Sequence, residues 1–225
     1  MNKIKAILFD MDGILFDSMP NHVQSWYETM LAMGITAPKE EYYLHEGRTG
    51  RTTIQLYFNR FFDRDATDEE IQTIYAQKVQ RFVESGIQTK PIPGALDVLQ
   101  KVKVMGLQRI LVTGSGQKSL FEELEIYYPD YFDKSRLVTA YDVQHGKPHP
   151  EPYLMGLKKG NLLPEEAIVI ENAPLGIESA RAAGIYTVGV NTGPLPDSVL
   201  WEAGANIVYP SMHVLSENIA WICQN

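Results

Sequence analysis

The sequence predicts an α/β protein: a doubly wound parallel sheet as the core, with a helical lobe inserted after the first strand. Three observations predict it. Short apolar runs at Ala6–Phe9, Arg109–Val112, Arg136–Thr139, Ala167–Ile170, Thr187–Val190 and Asn206–Tyr209 end in small or polar residues, and helical spacing fills most gaps between them. After the first run a long, mostly helical stretch replaces the usual single crossover. The residues capable of chemistry stand just past the ends of the runs, where such sheets collect their ligands.

The elements follow in order. The first run stops abruptly in Asp10-Met11-Asp12-Gly13, so a buried strand delivers two carboxylates to its C-terminal tip. Acids beside an apolar strand are costly unless a cation or a reaction needs them. The segments His22–Met33, Arg51–Phe62 and Asp68–Ser85 each carry amphipathic helical spacing. Lys90-Pro91-Ile92-Pro93-Gly94 then marks a boundary, with two prolines stiffening it as a hinge requires. Residues 1–15 and 90–225 are expected to form the core, and 16–89 a lobe over the first strand's tip. Beyond the hinge, Ala95–Met105 places Ala95, Val98, Leu99 and Val102 on one helical face, with Gly106 as a stop. A further helix over Leu175–Ala183 ends at Gly184.

Composition narrows the function. The chain has 225 residues, 44% hydrophobic and 21% charged, the balance of an ordinary folded protein. A net charge of -8 supplies no broad basic face for a nucleic-acid backbone. It leaves room for a phosphate held in a local pocket. Cys223 is the only cysteine, which excludes an intrachain disulfide and CxxC chemistry. Met1-Asn2-Lys3-Ile4-Lys5 precedes an apolar run too short and too charged for a signal peptide or membrane span. The expectation is a cytoplasmic monomer without nucleic-acid or membrane partners.

Four strand tips carry groups that suit one job. Asp10 and Asp12 stand at the first. Thr113-Gly114-Ser115-Gly116 follows the second, a hydroxyl next to exposed backbone N–H groups that suits a phosphate. Gly146-Lys147-Pro148 offers a fixed positive charge, and Glu171-Asn172 offers oxygen ligands for a hard cation. Each motif alone is common. Their shared order and placement at strand ends is what carries weight. The Gly114–Ser119 segment lacks the Gly-Lys-Ser/Thr of a nucleotide P-loop.

With these residues the chain resembles the haloacid dehalogenase superfamily of phosphotransfer enzymes over its whole length. Asp10-Met11-Asp12-Gly13, His22-x-x-x-Trp26, Gly146-Lys147-Pro148-x-Pro150 and Glu171-Asn172-Ala173-x-x-Gly176 place it near the β-phosphoglucomutase-like branch. The helical insert is similar to that family's C1 cap. The resemblance implies that Asp10 attacks phosphorus and becomes an aspartyl phosphate, and that Asp12 serves as acid and then base. It implies a Mg²⁺ cofactor held by Asp10, Asp12 (through its backbone C=O), Glu171 and Asn172. Thr113, Gly114 and Ser115 would hold nontransferring oxygens, and Lys147 would balance charge. Asp12 argues against carbon–halogen hydrolysis, whose branch normally lacks that acid.

Two departures stand out. Asn172 replaces an Asp common in this branch, so the metal site loses a negative charge. In the insert, Glu46-Gly47-Arg48-Thr49-Gly50 stands where sugar phosphomutases carry a segment resembling Lys-Gly-x-Ser-Arg. His45-Glu46-Gly47-Arg48-Thr49-Gly50 is similar to a pyrophosphate-hydrolysing member of the branch. Glu46, Arg48, Lys78 and His22 are therefore candidate substrate contacts. The expected substrate is a small phosphorylated metabolite, with inorganic pyrophosphate the best single candidate and a β-phosphoglucomutase the alternative. His45, His145 and His149 are expected on loops rather than as metal ligands.

Overall fold

Alternation along the strands sets one sheet between two apolar layers. The computed structural model describes residues 3–87 and 89–224. Its strands are β1 (Ala6–Phe9), β2 (Gln108–Val112), β3 (Leu137–Val138), β4 (Ala167–Glu171), β5 (Tyr186–Val190) and β6 (Ile207–Tyr209). All neighbours pair in parallel, in the order β3-β2-β1-β4-β5-β6. Ile7 and Phe9 point into one layer, against α5 (Ala95–Val104), α6 (Lys118–Tyr127) and α10 (Met212–Ile222). Ala6 and Leu8 point into the other, with Tyr153 and Leu157 of α7 (Glu151–Gly160) and Ala180 of α8 (Pro174–Ala182). A sheet covered on both faces explains why its central strands read as unbroken apolar runs. A short helix, α9 (Asp197–Glu202), packs through Leu200 against Ile177.

Register brings the strand tips together. Phe9 lies opposite Leu111 on one side and Ile170 on the other. The next residues, Asp10, Val112-Thr113 and Glu171, therefore emerge side by side at the switch point of the strand order. The third apolar run is shorter than its sequence suggests, because β3 holds only Leu137 and Val138. The Asp142 carboxylate accepts the Thr139 N–H at 2.9 Å, which takes that amide out of the ladder.

Four helices fill the insertion after β1: α1 (Met19–Ala32), α2 (Lys39–Leu44), α3 (Gly50–Phe62) and α4 (Asp68–Glu84). They bury an apolar cluster of their own, including Met30, Ile54, Tyr57 and Phe58. Two chain segments tie this lobe to the sheet. Asp17 N–H donates to Lys90 C=O at 2.8 Å, and Ile92 N–H donates to Leu15 C=O at 2.9 Å. The Pro91–Pro93 hinge expected from sequence is one of these paired segments. Among the described residues no helix is long and apolar enough to cross a membrane.

Candidate active site

The chain turns sharply after β1. Gly13 has φ +83°, a conformation that disfavours side chains. A Cβ there would also lie 2.1 Å from Asn172 Nδ2. The Thr192 hydroxyl donates to Gly13 C=O at 2.6 Å and pins the turn. Asp10 and Asp12 are thereby presented to the space under the helical lobe.

Lys147 organises the floor. Its ammonium donates to Asp10 Oδ1 at 2.5 Å, Glu171 Oε1 at 2.6 Å and Val112 C=O at 3.2 Å. Burial disfavours that charge, but Asp10 and Glu171 outweigh it and hold the lysine above its ordinary pKa. Burial pushes the Asp10 carboxyl upward, with Lys147 pulling the other way and Glu171 and Asp12 adding to the rise. A bound cation would favour the ionised form. Glu171 is fully buried and saturated: Oε1 also accepts from the Tyr153 hydroxyl at 2.9 Å, and Oε2 accepts from the N–H groups of Asn172 and Ala173 at 2.9 and 3.0 Å. The sequence assigned Glu171 to the metal, yet its lone pairs are occupied by protein donors.

Asp12 sits in a different network. Its Oδ1 accepts from the Ser18 hydroxyl at 2.5 Å and lies 3.2 Å from His22 Nε2. His22 Nδ1 lies 2.6 Å from Lys78 Nζ, and Lys78 donates to Gln117 Oε1 at 2.5 Å. Burial works against the Asp12 carboxylate, but His22, Ser18 and Lys78 outweigh it and hold the pKa below the usual value. Burial and then Lys78 push His22 down. Burial pushes the Lys78 ammonium down to about 7.

Glu46 enters from the turn after α2 and is only 8% exposed. Its Oε1 accepts from Asn172 Nδ2 at 2.8 Å. Burial pushes Glu46 well above the usual carboxylate range, with Asp10, Glu171 and Asp12 adding to the rise and Asn172 opposing it. The lobe touches the sheet closely here: a Cβ on Gly114 would sit 2.4 Å from Gly47 C=O. Between them is a cavity of about 60 Å³, walled by Asp10, Asp12, His22, Glu46, Arg48, Lys78, Gly114 and Ser115. Eight of the sequence candidates thus share one chamber.

Thr113 is the exception among the phosphate cradle residues. It stands behind that wall, where its hydroxyl accepts the Ser115 N–H at 3.0 Å. Asn172 lines an adjoining cavity with Gly13, Asp17 and Glu46, and Glu46 and Met19 border both spaces. Arg48 is partly buried, and among the described residues its Nε finds no hydrogen-bond partner. His45 lies in the turn after α2, a loop position as expected, where it pairs with Glu41 at 3.4 Å and lines the chamber.

The donor set fits a hard divalent cation. Among the described residues Asn172 Oδ1 is buried without a partner while its Nδ2 is engaged, an orphaned oxygen of the kind a cation satisfies. No described residue donates to Asp10 Oδ2. Among the described residues no three His, Cys, Asp or Glu side chains converge on a cation site. The available oxygens are then the Asp10 carboxylate, the Asp12 C=O and Asn172 Oδ1, with Glu46 beside them.

Sequence reasoning missed Ser18, Gln117 and Tyr153. Ser18 precedes α1, a position that reads as a helix cap. Gln117 and Tyr153 sit in segments rich in turn residues, where no periodicity points inward. Their common signal is a polar group next to a strand-tip motif, which is too weak to use unaided.

The comparisons agree with this geometry. The family model for haloacid dehalogenase-like hydrolases matches residues 7–190, and the chain belongs to that family. A solved structure from Bacteroides vulgatus, described as a "putative beta-phosphoglucomutase", is 50% identical with TM-score 0.92, covering 98% of this chain and 88% of that one. The phosphorylated carbohydrates phosphatase of Thermotoga maritima is 28% identical, covering 90% of this chain and 92% of its own. Glycerol-1-phosphate phosphohydrolase 1 of Saccharomyces cerevisiae is 30% identical, covering 92% of this chain and 82% of its own. The chain is accordingly an enzyme of the phosphohydrolase or phosphomutase type.

Proposed function

We propose that the protein is a Mg²⁺-dependent phosphohydrolase that works through an aspartyl phosphate on Asp10, with inorganic pyrophosphate as its substrate and segment 16–89 as its cap. One observation carries the substrate: a buried carboxylate, Glu46, hangs over the phosphate chamber bonded to Asn172. Three acids, Asp10, Asp12 and Glu46, then face one small space. That arrangement suits a polyanion that arrives with a cation, which favours the ionised form of the acids. The chamber volume of about 60 Å³ lies far below the ~300–1,000 Å³ of common small-molecule pockets. A compact leaving group is favoured over a sugar.

In the first step Asp10 attacks phosphorus, and the bond from phosphorus to the bridging oxygen breaks. Asp12 donates its proton to that leaving oxygen. Its partners Ser18, His22 and Lys78 favour the ionised form, and an arriving polyanion restores the acid form. In the second step Asp12 takes a proton from water, whose oxygen attacks the phosphoenzyme and frees Asp10. Lys147 holds Asp10 Oδ1 in place, and Ser115 and Gly114 line the side where nontransferring oxygens lie. Asp10, the Asp12 C=O and Asn172 would hold Mg²⁺, with Glu46 alongside. When bound, it neutralises phosphoryl charge so that a carboxylate can approach.

A second reading is a sugar phosphomutase, favoured by the description given to the 50% identical B. vulgatus structure. A phosphate-release screen with Mg²⁺ separates the two. The hydrolase reading expects pyrophosphate to exceed sugar phosphates in kcat/KM by about tenfold or more. Conversion of β-glucose 1-phosphate to glucose 6-phosphate without phosphate release would establish the mutase instead.

A further inference from the structure

We infer that Tyr153 is a positioning residue that keeps Glu171 turned to Lys147 and withheld from the Mg²⁺ site. The inference rests on reading the pocket as a Mg²⁺-dependent phosphoryl-transfer site.

Glu171 stands at a strand tip beside Asn172, where an acid is well placed to ligate a cation. It is 0% exposed, and both of its oxygens are already satisfied. Two backbone N–H groups hold Oε2, while Lys147 and Tyr153 share Oε1. The pocket around it is tight: a Cβ on Gly176 would fall 1.7 Å from Oε1, so the carboxylate fills the space against the first turn of α8. To reach a cation it must surrender a donor.

Tyr153 is the donor that makes this costly. Its ring is fully buried on α7, and its hydroxyl bonds Glu171 Oε1. Without Glu171 that buried hydroxyl would lose its acceptor, a desolvation penalty with no return. The same ring lies 5.1 Å from the Lys147 ammonium, so one side chain braces both members of the pair. The hydroxyl also takes up part of the negative charge on Oε1. The ammonium therefore stays shared with Asp10 at 2.5 Å and is not drawn wholly to Glu171. Glu171 acts on the reaction through Lys147.

The test is Tyr153→Phe, which keeps the ring and removes the hydroxyl. Mg²⁺ affinity is read by titration calorimetry on the full chain, and turnover by phosphate release from pyrophosphate. Freed of one donor, Glu171 turns toward the cation, so Mg²⁺ binds about threefold or more tightly while kcat falls about tenfold. A loss of packing alone would not tighten metal binding. In a Glu171→Gln background the gain disappears, because the two residues act as a unit. Unchanged or weaker Mg²⁺ binding in Tyr153→Phe, or the same gain in the Glu171→Gln background, overturns the inference. Should Tyr153→Phe not fold, Glu171→Gln alone decides: Mg²⁺ affinity falls less than about tenfold if Glu171 is outside the coordination sphere, and a larger loss overturns it. Wild-type protein that binds no Mg²⁺ rejects the metal-site reading itself. Binding that Tyr153→Phe leaves unmoved rejects only the role of Tyr153.

Discussion

The sheet side and the helical side of the chamber are built by opposite rules. On the sheet side, register alone aligns Asp10, Thr113 and Glu171, and a fully buried lysine locks two of them. On the helical side, His22 comes from α1, Glu46 and Arg48 from the turn between α2 and α3, and Lys78 from α4, and only tertiary packing brings these three places together. On the proposed function, the sheet holds the reacting groups and the helical lobe holds groups that choose what is admitted. Damage to the first should abolish chemistry, and damage to the second should redirect or weaken it.

That contrast can be broken by substitution. Asp10→Asn should lower turnover on every phosphate substrate by about 10⁴-fold or more, because no other group can accept the phosphoryl. Loss confined to one substrate would contradict a shared nucleophile. Asp12→Ala should cost about 10²–10⁴-fold in kcat, as expected for a proton carrier. Retained turnover would return that role to another group. Glu46→Gln should lower pyrophosphate hydrolysis about 10–100-fold and raise the Mg²⁺ concentration needed for half-maximal rate. Unaltered Mg²⁺ dependence would place Glu46 outside the chemistry.

The smallest effect concerns stability. The folded-state pKa of Lys78 lies at about 7, below its unfolded value, so the charged form is disfavoured in the folded chain. Its contribution is therefore best above the unfolded pKa and is lost as pH falls toward about 7. Lys78→Met removes this penalty. Its advantage over wild type in urea unfolding should grow between about pH 9 and about pH 6, on the order of 2 kcal/mol. A difference independent of pH would contradict a buried ammonium.

The same division explains what the sequence could reveal. Asp10, Asp12 and Lys147 were legible because an apolar run that ends in charge has few other meanings. The helical insertion was legible from its periodicity and the prolines at 91 and 93. The α7 helix was not, because Pro148, Pro150 and Pro152 suggest a loop. Pro152 sits in the first turn, where its missing N–H costs nothing. The six-residue α2 is too short to show a period. Glu46 was recognised as odd for a sugar-phosphate contact, but its partner Asn172 lies 126 positions away and no local pattern encodes that contact. The saturation of Glu171 was not legible, because Lys147 and Tyr153, which donate to its Oε1, belong to another segment.

The covalent step is tested most directly by trapping it. Protein mixed with ³²P-labelled pyrophosphate and quenched in acid within milliseconds should carry label that hydroxylamine releases, located on the peptide containing Asp10. The Asp10→Asn protein should carry none. Label that persists in Asp10→Asn, or its absence from a wild-type protein that still turns over, would contradict an aspartyl phosphate at that residue.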